Sequence, residues 1–257
     1  DCAGIPADVT MYLPLFAELM TRCGAAGLDY RGMSKRTALA TGGLGAGIML
    51  DESVAAPPHS VCMCFFHGKS LAGRFGEMRD IFADLFREPG LDDTTLIRNV
   101  VLEMRNSLKA SVVGNGAGLA ATYAASRLNA TQKLSEMLEG ITQLRFLDSL
   151  ARRDAPDRIV DRVKQLHRHL IARGRVILSL TADNPAEHVG ACEELLRNLP
   201  EPLESSDDNK LAVGKAQALE PVGVEIPASI NFVSKAWRLS EQTAADLGVL
   251  SLIGMNL

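Results

Sequence analysis

Hydrolysis by a bound metal needs imidazoles and carboxylates that converge from one face, so the histidines come first. There are five: His59, His67, His167, His169 and His188. His167 and His169 stand two apart in a run of helical period, about 200° around the axis, and cannot share an ion from one face. They read as surface histidines of an amphipathic helix. His188 follows Glu187 with no second histidine at ligand spacing. His59 and His67 bracket one strand-like run and would lie about 26 Å apart when extended. The spacing gives no local metal site, and no residue is assigned to catalysis, to a cofactor or to a metal.

Two glycine clusters raise a nucleotide reading. Gly43, Gly45 and Gly47 are spaced G-x-G-x-G, as are Gly114, Gly116 and Gly118. Neither matches G-x-G-x-x-G or a phosphate loop ending in Lys-Ser/Thr. The first leads into more strand, so no helix N-terminus would receive a phosphate. The second lies between helical stretches. The expectation is structural: close strand packing at the first, a helix break or tight helix contact at the second. Cys23, Cys62, Cys64 and Cys192 sit in apolar runs, where thiols are inert packing. No serine stands in a G-x-S-x-G context. Glu136 and Glu139 read as solvated charges on a helix.

Composition bounds the rest. The 257 residues suit one large domain or two small ones, 47% hydrophobic and 23% charged, with a formal net charge of -4. No basic stripe is present, which argues against nucleic acid as a partner. Five scattered cysteines, with Cys2 the first, fit a reducing compartment rather than a disulfide scaffold. No run approaches the roughly 20 apolar residues that span a bilayer, and no signal peptide is visible, so a membrane is not expected as a partner. The chain opens at Asp1 rather than methionine, which leaves room for an excised segment and a targeting sequence.

The elements follow from periodicity. Met11 to Cys23 and Leu28 to Ala40 read as helices, and Gly42 to Met49 as a strand. His59 to His67 reads as a second strand, apolar on both faces and therefore central and covered on both sides, paired antiparallel with the first. A helix is expected from about Leu71 to Phe86. Ile97, Val101, Met104, Leu108 and Val112 form one helical stripe. Asn129 with Gln132 resembles a capping box, opening one helix that carries Leu134, Met137, Ile141, Leu144 and Leu147. Pro156 starts the next, with Ile159, Val163, Leu166 and Leu170, and Gly174 closes it. Arg175 to Thr181 reads as a strand and Ala186 to Leu199 as a helix. The acidic, period-free stretch from Pro200 to about Pro221 reads as a linker. A strand around Ile230 to Val233 and a helix from Glu241 to Leu257 follow. The fold class is α/β (α+β): a two-layer sandwich, with a mostly antiparallel sheet covered by helices.

The opening Tyr12-Leu13-Pro14-Leu15-Phe16, then Tyr30 at a helix start and Thr41-Gly42-Gly43 entering a strand, carry a resemblance. So do the run Gly114 to Leu150 with Glu136, Gly140 and Phe146-Leu147, the segment Arg175 to Leu199, and Pro227 to Val233. In this order they resemble the non-catalytic half of pitrilysin/insulinase-type zinc metallopeptidases, in the presequence-protease branch. The resemblance implies four related domains in two halves that close around a peptide-degrading chamber. Zinc, held by an inverted His-x-x-Glu-His in the first domain, would polarise the scissile carbonyl, with a glutamate as general base. None of the five histidines completes that motif, so the zinc of the parent enzyme would lie outside this segment. Residues 1–199 would be most of the third domain, lacking its first strands ahead of Asp1. Residues 200–221 would be the linker and 222–257 the start of the fourth domain. The implied partners are the catalytic N-terminal half of the same polypeptide and peptide substrates. The alternative is a catalytically inactive scaffold of the same fold. Where relatives carry Gly-His at the alanine-rich helix, this chain reads Gly116-Ala117. The implied compartment is cytoplasm in a bacterium, or the mitochondrial or plastid matrix in a eukaryote.

Overall fold

The computed structural model describes residues 1–52, 60–153, 155–202, 222–226 and 229–237. Pro57, Pro58, His59, most of the expected linker and the expected helix from Glu241 to Leu257 lie outside the described residues.

The core is organised around α1 (Leu13–Arg22), which Pro14 opens within its first turn. Leu13, Leu15, Phe16, Leu19 and Met20 are all fully buried, so this helix is apolar over most of its circumference. It packs on a ribbon, two helices behind it, and α2 (Tyr30–Ala40). The ribbon is β2 (Leu44–Glu52) paired antiparallel with β3 (Ser60–Gly68), in register from Leu44↔Gly68 to Glu52↔Ser60. A second, two-residue ladder joins β1 (Gly24–Ala25) to β4 (Pro89–Gly90), at the ends of α1 and α3 (Phe75–Arg87).

The remaining helices are α4 (Thr94–Gly114), α5 (Gly116–Ala125), α6 (Ala130–Glu139), α7 (Ile141–Arg153), α8 (Pro156–Leu170) and α9 (Val189–Arg197). Helices α4 and α8 pack on α1, α7 packs on α4 and α6, and α9 on α3. Three begin with side-chain caps. Asp29 accepts from Gly32 N–H at 2.8 Å, Asp93 from Leu96 N–H at 2.9 Å and Asn129 from Gln132 N–H at 2.7 Å. Gly174, at φ +79°, terminates the turn after α8, a conformation that glycine adopts without strain.

The chain is α+β, as its periodicity indicates, with helices and small antiparallel sheets. Four expectations need correction. The single helix expected from Leu134 to Leu147 is two, α6 and α7, broken at Gly140, where the backbone leaves helical geometry at φ -94°, ψ -159°. β3 is not covered on both sides by the described residues. Cys62, Cys64 and Phe66 face the core with Leu44, Ile48 and Leu50 of β2, but on the other face Met49 is 46% and Phe65 43% exposed. Residues 175–181 are extended but pair with no strand among the described residues. Around Ile230 to Val233 the described chain is irregular, with both of those side chains exposed.

Candidate functional site

The four described histidines do not converge. His167 and His169 leave α8 in different directions, as their spacing requires, but they are not free surface groups. His167 Nε2 lies 2.9 Å from Phe86 O at the end of α3, and His169 Nε2 lies 3.1 Å from Ala3 O. Both are partly buried, and desolvation pulls both imidazoles below their ordinary range, against the hydrogen bond each makes. They therefore tie α8 to two neighbouring segments. Helical period located them but could not show which carbonyls wait above. His67 stacks on Phe65, with centroids 5.7 Å apart, and His188 on Phe75 at 4.2 Å. Among the described residues no group of three His, Cys, Asp or Glu side chains could hold a metal ion, so they do not fit a zinc site.

The glycine clusters shape packing. Across the ribbon, the His67 ring covers Gly45 and the Phe65 ring covers Gly47. A Cβ on Gly47 would fall 2.9 Å from Phe65 Cζ, so the absent side chains are what let the rings lie down. Gly116 seats the Phe232 ring, and nearby Ile226 packs against Val112, Leu119 and Ile141. Asn115 breaks the helix between α4 and α5. Both clusters thus serve close contact, as their sequence context indicates.

The thiols form an unexpected grouping at the ribbon. Cys2, from the N-terminal segment, hydrogen-bonds Cys62 through its side chain, and its backbone N–H donates to Cys62 O at 2.9 Å. That thiol contact, outweighing burial, pulls the Cys2 thiol down and is the largest reason that Cys62 is pushed up. Burial drives Cys64 up to about 12 and Cys23 up to about 11. Such thiols are poor nucleophiles, in keeping with inert packing.

The family model for the associated region of M16 peptidases, subfamily C, matches residues 1–150. The chain belongs to that family. Along most of its length this peptidase-associated chain is also similar to curated presequence proteases. It is 24% identical to the mitochondrial presequence protease of Danio rerio over 273 aligned positions, 97% of this chain and 27% of the relative. To presequence protease 1, chloroplastic/mitochondrial, of Arabidopsis thaliana it is 25% identical, covering 92% of this chain and 22% of the relative. Protein HypA of Clostridium perfringens is 19% identical, again across 97% of this chain and 25% of its own length. The chain spans about a quarter of the length of these relatives.

Within the stretch that matches the family, one carboxylate corrects the sequence reading. Glu136 is not a solvated charge but is 4% exposed, and its Oε1 accepts from Thr142 N–H at 2.9 Å. It reaches past Gly140 to cap the first turn of α7, where an acidic group also meets the positive end of the helix dipole. The partner lies six residues on, across a corner, so no short-range spacing rule reveals it. Glu139, next to the corner, is exposed as expected. The largest surface depression, about 320 Å³, lies along α7 between Arg145, Asp148, Ser149, Arg152 and Arg153. Asp148 is within ion-pairing reach of Arg105 at 3.9 Å and Arg152 at 3.8 Å, so the groove is a solvated charge network. Among the described residues no helix is long and apolar enough to cross a membrane.

Proposed function

We propose that this chain is a non-catalytic segment of a zinc metalloendopeptidase that degrades peptides inside a closed chamber. Its work is to supply chamber wall and to dock against the catalytic half of the same polypeptide. The observation that carries this reading is the alignment itself: 97% of this chain corresponds to 27% of a presequence protease. The hydrolytic groups belong to the remaining length. The described residues, whose histidines are spent on carbonyls and ring stacking, are consistent with a supporting part.

The test has two arms. The parent reading frame carries an intact H-x-x-E-H outside this segment, and the parent protein cleaves an unstructured fluorogenic peptide in a chelator-sensitive way. The 257-residue chain with added zinc does not. Chelator-sensitive cleavage by the isolated chain overturns the proposal. A degraded motif in the parent converts the segment into part of an inactive scaffold of the same fold.

A further inference from the structure

The sheet side of this molecule contains an unfilled position. In an antiparallel pair, residues alternate between pointing both backbone groups at the partner strand and pointing both away. Cys62 O accepts from Cys2 N–H, so Cys62 points outward from β2, and with it Cys64 and Phe66. Cys2 occupies the start of that outer edge, with its N–H on Cys62 O and its sulfur facing Cys64 N–H. Further along, Cys64 O and both backbone groups of Phe66 have no backbone partner among the described residues. β3 carries no lysine, proline or bulge to protect this edge.

On its other side the same N-terminal stretch meets residues 175–181. The Asp1 amino group donates to Arg175 O at 3.4 Å, while the Arg175 guanidinium reaches Asp1 O at 3.3 Å and also Ala3 O. From there Val176, Leu178 and Leu180 are half-buried, whereas Ile177, at 79%, and Ser179 are exposed. That is the alternation of a strand covered on one face, in a segment that has no ladder. Asp1 and Cys2 thus bridge two extended segments, each unpaired beyond them.

We propose that the space between the outer edge of β3 and residues 175–181 is a strand-acceptor slot, filled by an extended strand of the longer polypeptide. The proposal rests on reading the chain as one segment of a longer peptidase, whose relatives are about four times its length. The strand continues the contacts that Asp1 and Cys2 begin. It presents apolar side chains at alternate positions toward α1 and satisfies Cys64 O and Phe66 on one side and residues 176–180 on the other. The sheet then has at least four strands where the described residues form two.

The experiment extends the chain ahead of Asp1 by a short Thr-Val alternating strand or by a control of equal length with proline at every second position, which lacks ladder donors. Amide hydrogen exchange is compared with that of the unextended chain, with far-UV circular dichroism confirming equal helix content. The alternating extension slows exchange of Cys64, Phe66 and residues 176–180 by about tenfold or more, and the proline control leaves them unchanged. Equal exchange in both, or amides already protected in the unextended chain, overturns the proposal. Equal protection by the same alternating peptide added free in solution overturns the occupant, because the slot then takes peptides in trans. The peptidase reading is judged separately, by the upstream zinc motif, so either can fail alone.

Discussion

Replacing Gly140 with alanine tests the corner between α6 and α7. The backbone there, at φ -94° and ψ -159°, is open to any residue, so the cost comes from space. A Cβ would fall 2.6 Å from Glu136 O and 2.9 Å from Glu136 Oε1. The side chain of Glu136 cannot swing away freely, because the same Oε1 holds Thr142 N–H at 2.9 Å. Either the main chain shifts, at about 1–3 kcal/mol for overpacking, or the cap opens and strands a donor, at about 1–3 kcal/mol. The lower entropy of the unfolded alanine chain returns about 0.4–1 kcal/mol. The net loss is about 2 kcal/mol, which lowers Tm by roughly 4–8 °C for a chain of this size. Urea denaturation followed by circular dichroism reads it as a lower midpoint at unchanged slope. Glu136→Ala removes Oε1 but leaves Glu136 O in place, so Gly140→Ala then costs less without becoming neutral. A Gly140→Ala chain as stable as its parent, or strict additivity with Glu136→Ala, refutes the reasoning.

Four further outcomes are expected. Burial keeps His167 below its ordinary range, so as pH falls through about 6.5 the unfolded chain takes up a proton that the folded chain refuses. Stability is complete above that pH and drains on acidification toward the lower folded-state value, at no more than about 1.4 kcal/mol per pH unit for one proton. His167→Gln therefore flattens the dependence of urea midpoints between pH 7 and pH 5, and an unchanged slope counts against the assignment. With their thiols at about 11 and about 12, Cys23 and Cys64 resist iodoacetamide at pH 8 until urea is added. Rapid labelling of the native chain, located by peptide mass spectrometry, contradicts that. Phe16→Ala empties a fully buried site whose ring meets Phe66 edge-on at 6.3 Å, costing about 3–5 kcal/mol by thermal melting. Asn129→Ala costs about 1 kcal/mol through its lost cap, and no change in Tm would remove the cap from the account.

Much of the helical layer was legible because helices announce themselves locally. The stripe from Ile159 to Leu170, Pro156 at its start and Gly174 after its end all fall where the elements do. Asn129 likewise marks a true start. The break at Gly140 was hidden because Leu134, Ile141 and Leu147 are buried on both sides of the corner, so the stripe runs on while the backbone does not. Glu136 and His167 were misjudged for a related reason. Each is polar on an amphipathic helix, and only a contact distant in sequence or across a turn shows that it is spent on a backbone group. The absence of a metal-binding spacing could be read directly, since no fold brings together His167 and His169 on one side of a helix.

The strands were legible in kind and not in surroundings, and that asymmetry has a physical cause. A helix satisfies its backbone within itself, whereas a strand needs neighbours that the local sequence does not name. β3 is apolar on both faces, yet the described residues cover one. Residues 176–180 alternate as a strand does, yet have no ladder. Asp1 and Cys2 lie between the two and bond to both. A single added strand accounts for the orphaned edge of β3, the unpaired run after Gly174 and the placement of Cys2 together. Three unrelated local defects would each need a separate explanation. The helical layer needs no such addition, because its buried stripes already meet one another around α1.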